Sequence, residues 1–122
     1  LEPLGGYLLL AQNIHAKKIK SLKQNWNFGP NISSCKSVRY LANYLSKSLK
    51  LNVAQAKKQK NIFKPETSFL RLSNFKAKTI LKWSPKWSIN KSLDKIILWH
   101  KRINREDAKK LCLDQINEYL ET

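Results

Sequence analysis

His15 and His100 are the two imidazoles among the 122 residues, and acid–base work would require each to reach a nucleophile or an orienting carboxylate. Each lies in a helical pattern with no such group at a useful spacing, so both read as surface or structural histidines. Acids are sparse, eight against 24 lysines and arginines, and Glu66 is the sole one between Glu2 and Asp94. On composition alone, Glu66 in Lys64-Pro65-Glu66-Thr67-Ser68 is an exposed loop carboxylate. Cys35 and Cys112 stand far apart with no Cys-x-x-Cys pair, which leaves zinc or dithiol chemistry without a motif and predicts reduced thiols. The three glycines, Gly5, Gly6 and Gly29, form neither the glycine turn that lets backbone approach a dinucleotide pyrophosphate nor a P-loop. Trp83, Trp87 and Trp99 with Pro85 could stack on bases, but packing in a core or turn is the commoner fate of such tryptophans.

A net charge of +16 ordinarily suggests an anionic partner such as nucleic acid or a membrane surface. Only Arg39, Arg71, Arg102 and Arg105 are arginines, the residue favoured for bidentate phosphate and base contacts. The lysines are spread along the chain, as on a solvated surface. Nucleic acid is therefore not the expected partner, and a basic nucleic-acid-binding module stands as the alternative reading. The longest apolar run, the short one around Leu8, Leu9 and Leu10, is far below the roughly 20 residues that span a bilayer, so no membrane segment is expected. Leu1-Glu2-Pro3-Leu4 lacks a basic n-region and a small-residue cleavage pattern; it reads as a chain entered mid-sequence, and the expected location is cytoplasmic.

The elements that would position these residues follow from hydrophobic spacing. Leu8, Ala11, His15, Ile19 and Leu22 predict an amphipathic helix over 5–22. Asn25-Trp26-Asn27-Phe28-Gly29-Pro30 alternates polar and aromatic residues and stops at Gly-Pro, a short-strand pattern. Val38, Leu41, Ala42, Leu45 and Leu49 predict a second helix, capped by Ser33, Ser34 or Ser37. Weak alternation over 51–56 suggests another strand, 57–65 an exposed loop, and 68–72 an extended piece. Ser73 caps a short helix carrying Ala77, Ile80 and Leu81, broken at Trp83-Ser84-Pro85-Lys86-Trp87. Asn90 caps a helix with Leu93, Ile96, Ile97, His100 and Ile103, and a last helix carries Leu113, Ile116, Tyr119 and Leu120. The predicted fold class is α+β, helix-rich, with two or three short strands in a single domain over 1–122.

Several of these segments, in this order, carry a resemblance. Leu1-Glu2-Pro3-Leu4-Gly5-Gly6-Tyr7-Leu8-Leu9-Leu10-Ala11, Trp26-Asn27-Phe28-Gly29-Pro30, Phe69 to Lys78 with Leu81-Lys82-Trp83-Ser84-Pro85-Lys86-Trp87, Leu93 to Lys101 and Gln115 to Leu120 are similar to the C-terminal region of the CDP-glucose 4,6-dehydratase family. That family lies within the epimerase/dehydratase group of extended short-chain dehydrogenases. The resemblance implies a two-part enzyme, with an N-terminal Rossmann half that binds NAD and bears the catalytic residues, and a smaller C-terminal part that closes over the nucleotide sugar. The chemistry it implies is hydride removal at sugar C4, loss of water across C5 and C6, and hydride return to C6. By this resemblance the chain is the substrate-side part, inactive alone, with the Rossmann domain absent and no catalytic or cofactor residue of its own. It implies substrate-side roles for Asn27 and Glu66 as polar contacts to CDP-glucose, with Glu2 near the mouth of the pocket. The implied partners are CDP-glucose, the N-terminal half and, in the parent enzyme, a second copy in a homodimer. The 53–65 stretch departs from the family in being short and lysine-loaded.

Overall fold

A computed structural model describes residues 1–19, 25–52 and 71–122. Among these the regular elements are five α-helices: α1 (Glu2–His15), α2 (Val38–Leu49), α3 (Phe75–Ile80), α4 (Ile89–Arg102) and α5 (Ala108–Glu121), with a 3-10 turn at Ile32–Ser34. The expected α+β class is overturned: the described residues contain no strand. The 25–30 segment is irregular, and side chains from elsewhere meet its carbonyls instead of a ladder. Lys76 Nζ donates to the Asn25 carbonyl at 3.1 Å and Asn74 Nδ2 to the Gly29 carbonyl at 2.9 Å. An alternating segment without a paired neighbour does not form a sheet. Leu51, Asn52, Arg71 and Leu72 are likewise not in strands, while the remainder of the 51–56 and 68–72 expectations lies outside the described residues.

Helix starts follow from short polar side chains that accept orphan N–H groups. Ser37 takes the Tyr40 N–H at 3.2 Å, selecting one of the three serines expected to begin α2. At α4 the cap is Ser88, which accepts from Lys91 N at 3.2 Å. Asn90, expected there, lies inside the helix and accepts the Tyr40 hydroxyl at 2.6 Å. Ser73 accepts from Phe75 N at 3.4 Å, but Asn74 holds the N-cap position of α3. α2 ends at Lys50 in the left-handed region (φ 54°), where the Leu51 N–H closes on the Ser46 carbonyl at 2.9 Å.

Phe28, Ala77, Leu81 and Trp83 form the buried cluster, with Leu9, Leu10, Ile19 and Trp26 packed against it. α1 therefore turns Gly6, Leu9 and Leu10 inward, whereas Leu8, Ala11 and His15, expected on its buried stripe, are exposed. The cause is a helix apolar on nearly every side, which gives periodicity no single answer. Gly6 is needed for close approach: a Cβ there would stand 2.3 Å from the Phe28 ring. Tyr7, Phe28 and Trp83 then continue edge to face, with centroids 5.3 and 5.1 Å apart, a favoured aromatic geometry.

α4 connects the remaining helices. Tyr40 and Tyr44 of α2 donate to Asn90 and Asp94 of α4, the latter at 2.7 Å. On its other side Leu93 and Ile97 are buried, as is Leu111 of α5, and Gln115 Nε2 donates to the Lys95 carbonyl at 3.0 Å. Glu118 of α5 pairs with both Lys91 and Lys95. Of the apolar sets expected on α4 and α5, Ile96, Leu113, Ile116 and Leu120 are exposed, while Tyr119 is buried as expected and Leu111 joins it.

Candidate functional site

Glu2 opens α1 one residue before Pro3, which suits the first turn because it has no N–H to leave unpaired. Its carboxylate accepts the backbone N–H of Trp87 at 2.6 Å, that of Lys86 at 3.0 and 3.1 Å, and the Tyr119 hydroxyl at 3.1 Å. The acceptors of Glu2 are thus taken by donors from two other parts of the chain. Tyr119 lies edge-on to Trp87, with centroids 5.2 Å apart, and burial, with the Glu2 charge and hydrogen bond adding to it, pushes its hydroxyl up to about 12. The phenol is protonated across the physiological range and serves as a donor. Lys86 completes the arrangement by reaching the Tyr119 carbonyl at 3.1 Å, a cation at a helix C-terminus where orphan carbonyls favour it.

Two openings flank this region. A cleft of about 200 Å³ is lined by Glu2, Phe28, Trp83, Pro85 and Trp87, among others. A larger groove of about 780 Å³ runs between the Pro30–Cys35 loop and the Arg71–Lys78 segment, within the size range of small-molecule sites. Its exposed surface is mainly apolar, with Asn31, Arg71, Ser73, Asn74 and Lys78 as polar members. Lys78 Nζ donates to Asn31 Oδ1 at 2.6 Å, and Asn74 pins the loop through the Gly29 carbonyl.

The structure places the sequence-derived site residues unequally. Glu2 lines the smaller cleft, as does Phe28, the neighbour of Asn27. Asn27 is exposed, and Glu66 lies outside the described residues. His15 and His100 are exposed. Trp83 and Trp87 are buried, which removes them as a stacking platform. Cys35 and Cys112 are free thiols. Among the described residues no group of His, Cys, Asp and Glu is placed to hold a metal, and no helix is long and apolar enough to cross a membrane. The Tyr119–Lys86–Glu2 cluster escaped the sequence reading because its contacts join residues 33 to 117 positions apart, a separation that no motif records.

The chain is similar to a CDP-glucose 4,6-dehydratase. The relative is the dehydratase of Salmonella typhimurium, 29% identical over 121 residues, a match that covers 98% of this chain and 33% of the dehydratase. The matched portion is the C-terminal part of the dehydratase, so the chain spans about one third of that enzyme's length. No family model matches the chain.

Proposed function

We propose that the chain is the substrate-side portion of a CDP-glucose 4,6-dehydratase-like enzyme, which converts CDP-glucose to CDP-4-dehydro-6-deoxyglucose, and that it does not turn over alone. The observation that carries this reading is the similarity along 98% of the chain to one third of the dehydratase. Asn27 and Glu66 contact the nucleotide sugar, with Glu2 at the mouth of the pocket, where it lines the cleft of about 200 Å³ beside Phe28. The residues present do not fit NAD, because the chain has no glycine turn for a pyrophosphate; the cofactor belongs to the N-terminal part of the parent enzyme. That part also carries the catalytic residues and the contacts of a homodimer, and the enzyme works in the cytoplasm.

A second reading, a basic nucleic-acid-binding module, draws on the +16 charge and on lysines set over aromatic rings, such as Lys76 at 4.4 Å from the Trp26 centroid. Heteronuclear NMR of the isolated chain separates the two. CDP-glucose is expected to shift Asn27, Glu66 and their neighbours. No response to the sugar nucleotide, combined with salt-sensitive lysine shifts on adding a short oligonucleotide, would overturn the substrate-side reading, since phosphate-driven binding weakens steeply with salt.

A further inference from the structure

Lysines and arginines are spread along the sequence, but helix formation lines some of them up. No acid stands between Glu2 and Glu66, a stretch that holds 12 of the 24 cations, and α2 lies wholly within it. At 3.6 residues per turn Arg39, Asn43 and Lys47 fall within about 80° of the helix circumference. Lys50, at the C-cap, follows at the next turn, so the row runs for about 16 Å. All four residues are exposed.

The rest of α2 is committed to the fold. Leu41, Ala42, Leu45 and Leu49 are half-buried, and Tyr40 and Tyr44 donate to Asn90 and Asp94 of α4. Asp94, which accepts the Tyr44 hydroxyl, is held on that flank. Among the described residues the ion pairs involve Lys91, Lys95 and Arg102, and Arg39, Lys47 and Lys50 take no part in them. Lys47 and Lys50 suit the C-terminal end of a helix, whereas Arg39 stands in the first turn, where the macrodipole disfavours a cation.

We infer that this face of α2 binds the phosphate backbone of a nucleic acid. A row of about 16 Å faces roughly five phosphates of one strand, and the Asn43 amide can donate to a phosphate oxygen as the cations do. An anionic bilayer is the poorer match, because an interfacial helix lays its apolar side into the lipid and α2 turns that side to the fold. The inference gives the nucleic-acid reading a surface and stands apart from the dehydratase reading.

The test is fluorescence anisotropy of a short labelled DNA duplex titrated with the 122-residue chain across a range of salt. The slope of log affinity on log salt falls by about 0.9 for each phosphate contact removed. Replacing Arg39, Lys47 and Lys50 together by Gln is therefore expected to flatten it by about 2.7. Gln at Lys101, Lys109 and Lys110, exposed lysines on either side of the turn between α4 and α5, removes the same charge and should leave the slope unchanged. Equal flattening in both variants would make the attraction a diffuse property of the +16 charge and overturn the inference, as would no duplex binding at low salt. Heteronuclear NMR of the unsubstituted chain needs no variant: duplex should shift Arg39, Asn43 and Lys47, and shifts confined to other helices would sink the idea. Tighter binding to phosphatidylserine vesicles than to duplex would make a lipid surface the partner, and release of duplex by CDP-glucose would return the face to the nucleotide sugar; either result overturns it. Duplex binding at α2 without CDP-glucose binding counts against the dehydratase reading alone, and the converse against this inference alone.

Discussion

The carboxylate of Glu2 accepts the backbone N–H of Trp87 at 2.6 Å, joining residues 85 positions apart. Side-chain substitutions in the turn, proline apart, leave these backbone donors in place, so the acid decides whether the Lys86 and Trp87 N–H groups keep this partner. A buried donor left unpaired costs about 1–3 kcal/mol.

Replacing Glu2 tests this directly. Glu2→Gln keeps the shape but presents an NH₂ group to donors, and a loss of about 1–2 kcal/mol in unfolding free energy is expected, since hydrogen bonds to charged groups are the stronger kind. Denaturant unfolding measures the loss. NMR titration of Tyr119 should show its hydroxyl moving down from about 12, yet staying above the ordinary tyrosine range because burial, the larger cause, remains.

Alkaline stability provides an independent check on the same tyrosine. Its raised value means that the folded state retains a proton which the unfolded state releases near pH 10. The contribution is complete below pH 10 and is lost as pH rises towards about 12. Tyr119→Phe should flatten that part of the stability profile. At the acid end the signs reverse: Lys95, with help from Lys91, lowers the Glu118 carboxyl, and Arg102 lowers that of Glu106. Their contribution is present above the ordinary 4.5 and disappears as pH falls through the lowered values, so Glu118→Gln should reduce the acid-side slope.

Gly6→Ala should destabilise the fold even though alanine is the better helix former. The added methyl meets the Phe28 ring at 2.3 Å, and overpacking of this kind costs about 1–3 kcal/mol, more than the roughly 1 kcal/mol gained in helix propensity. A melting temperature above that of the parent would show that the Phe28–Trp83 stack shifts without cost.

Lys50→Gly should have the opposite sign. The left-handed conformation of Lys50 costs a residue with a Cβ about 1–2 kcal/mol, and glycine adopts it freely at a helix end. A gain of about 0.5–1 kcal/mol is expected after the entropy of the more flexible unfolded chain is counted, measurable by chemical denaturation.

Local signals in the sequence located the helices and some of their caps, because caps and 3.6-residue spacing act over a few positions. α2 is the clearest case, with Ser37 as N-cap and Leu41, Ala42, Leu45 and Leu49 half-buried, although Val38 is 82% exposed. At 25–30 Trp26 and Phe28 alternate as a strand would, yet the segment is irregular: Phe28 is buried against Gly6 and Trp83, and Trp26 lies beneath Lys76. The spacing on α1 cannot tell its outer face from its inner one because both are apolar. Glu2 was singled out by resemblance, but its partners were not legible: two are backbone N–H groups, which every non-proline residue has, and the third is a tyrosine 117 positions away.

The contacts of Glu2 with Tyr119 and of Trp87 with Thr122 at 3.4 Å bring the two ends of the chain to one place. Polypeptide attached before Leu1 or after Thr122 would leave from neighbouring points, as at the stem of a pendant. Tension on such a stem would load the Glu2 hydrogen bonds together with those of Trp87 to Thr122 and Lys86 to Tyr119, ahead of the aromatic cluster behind them.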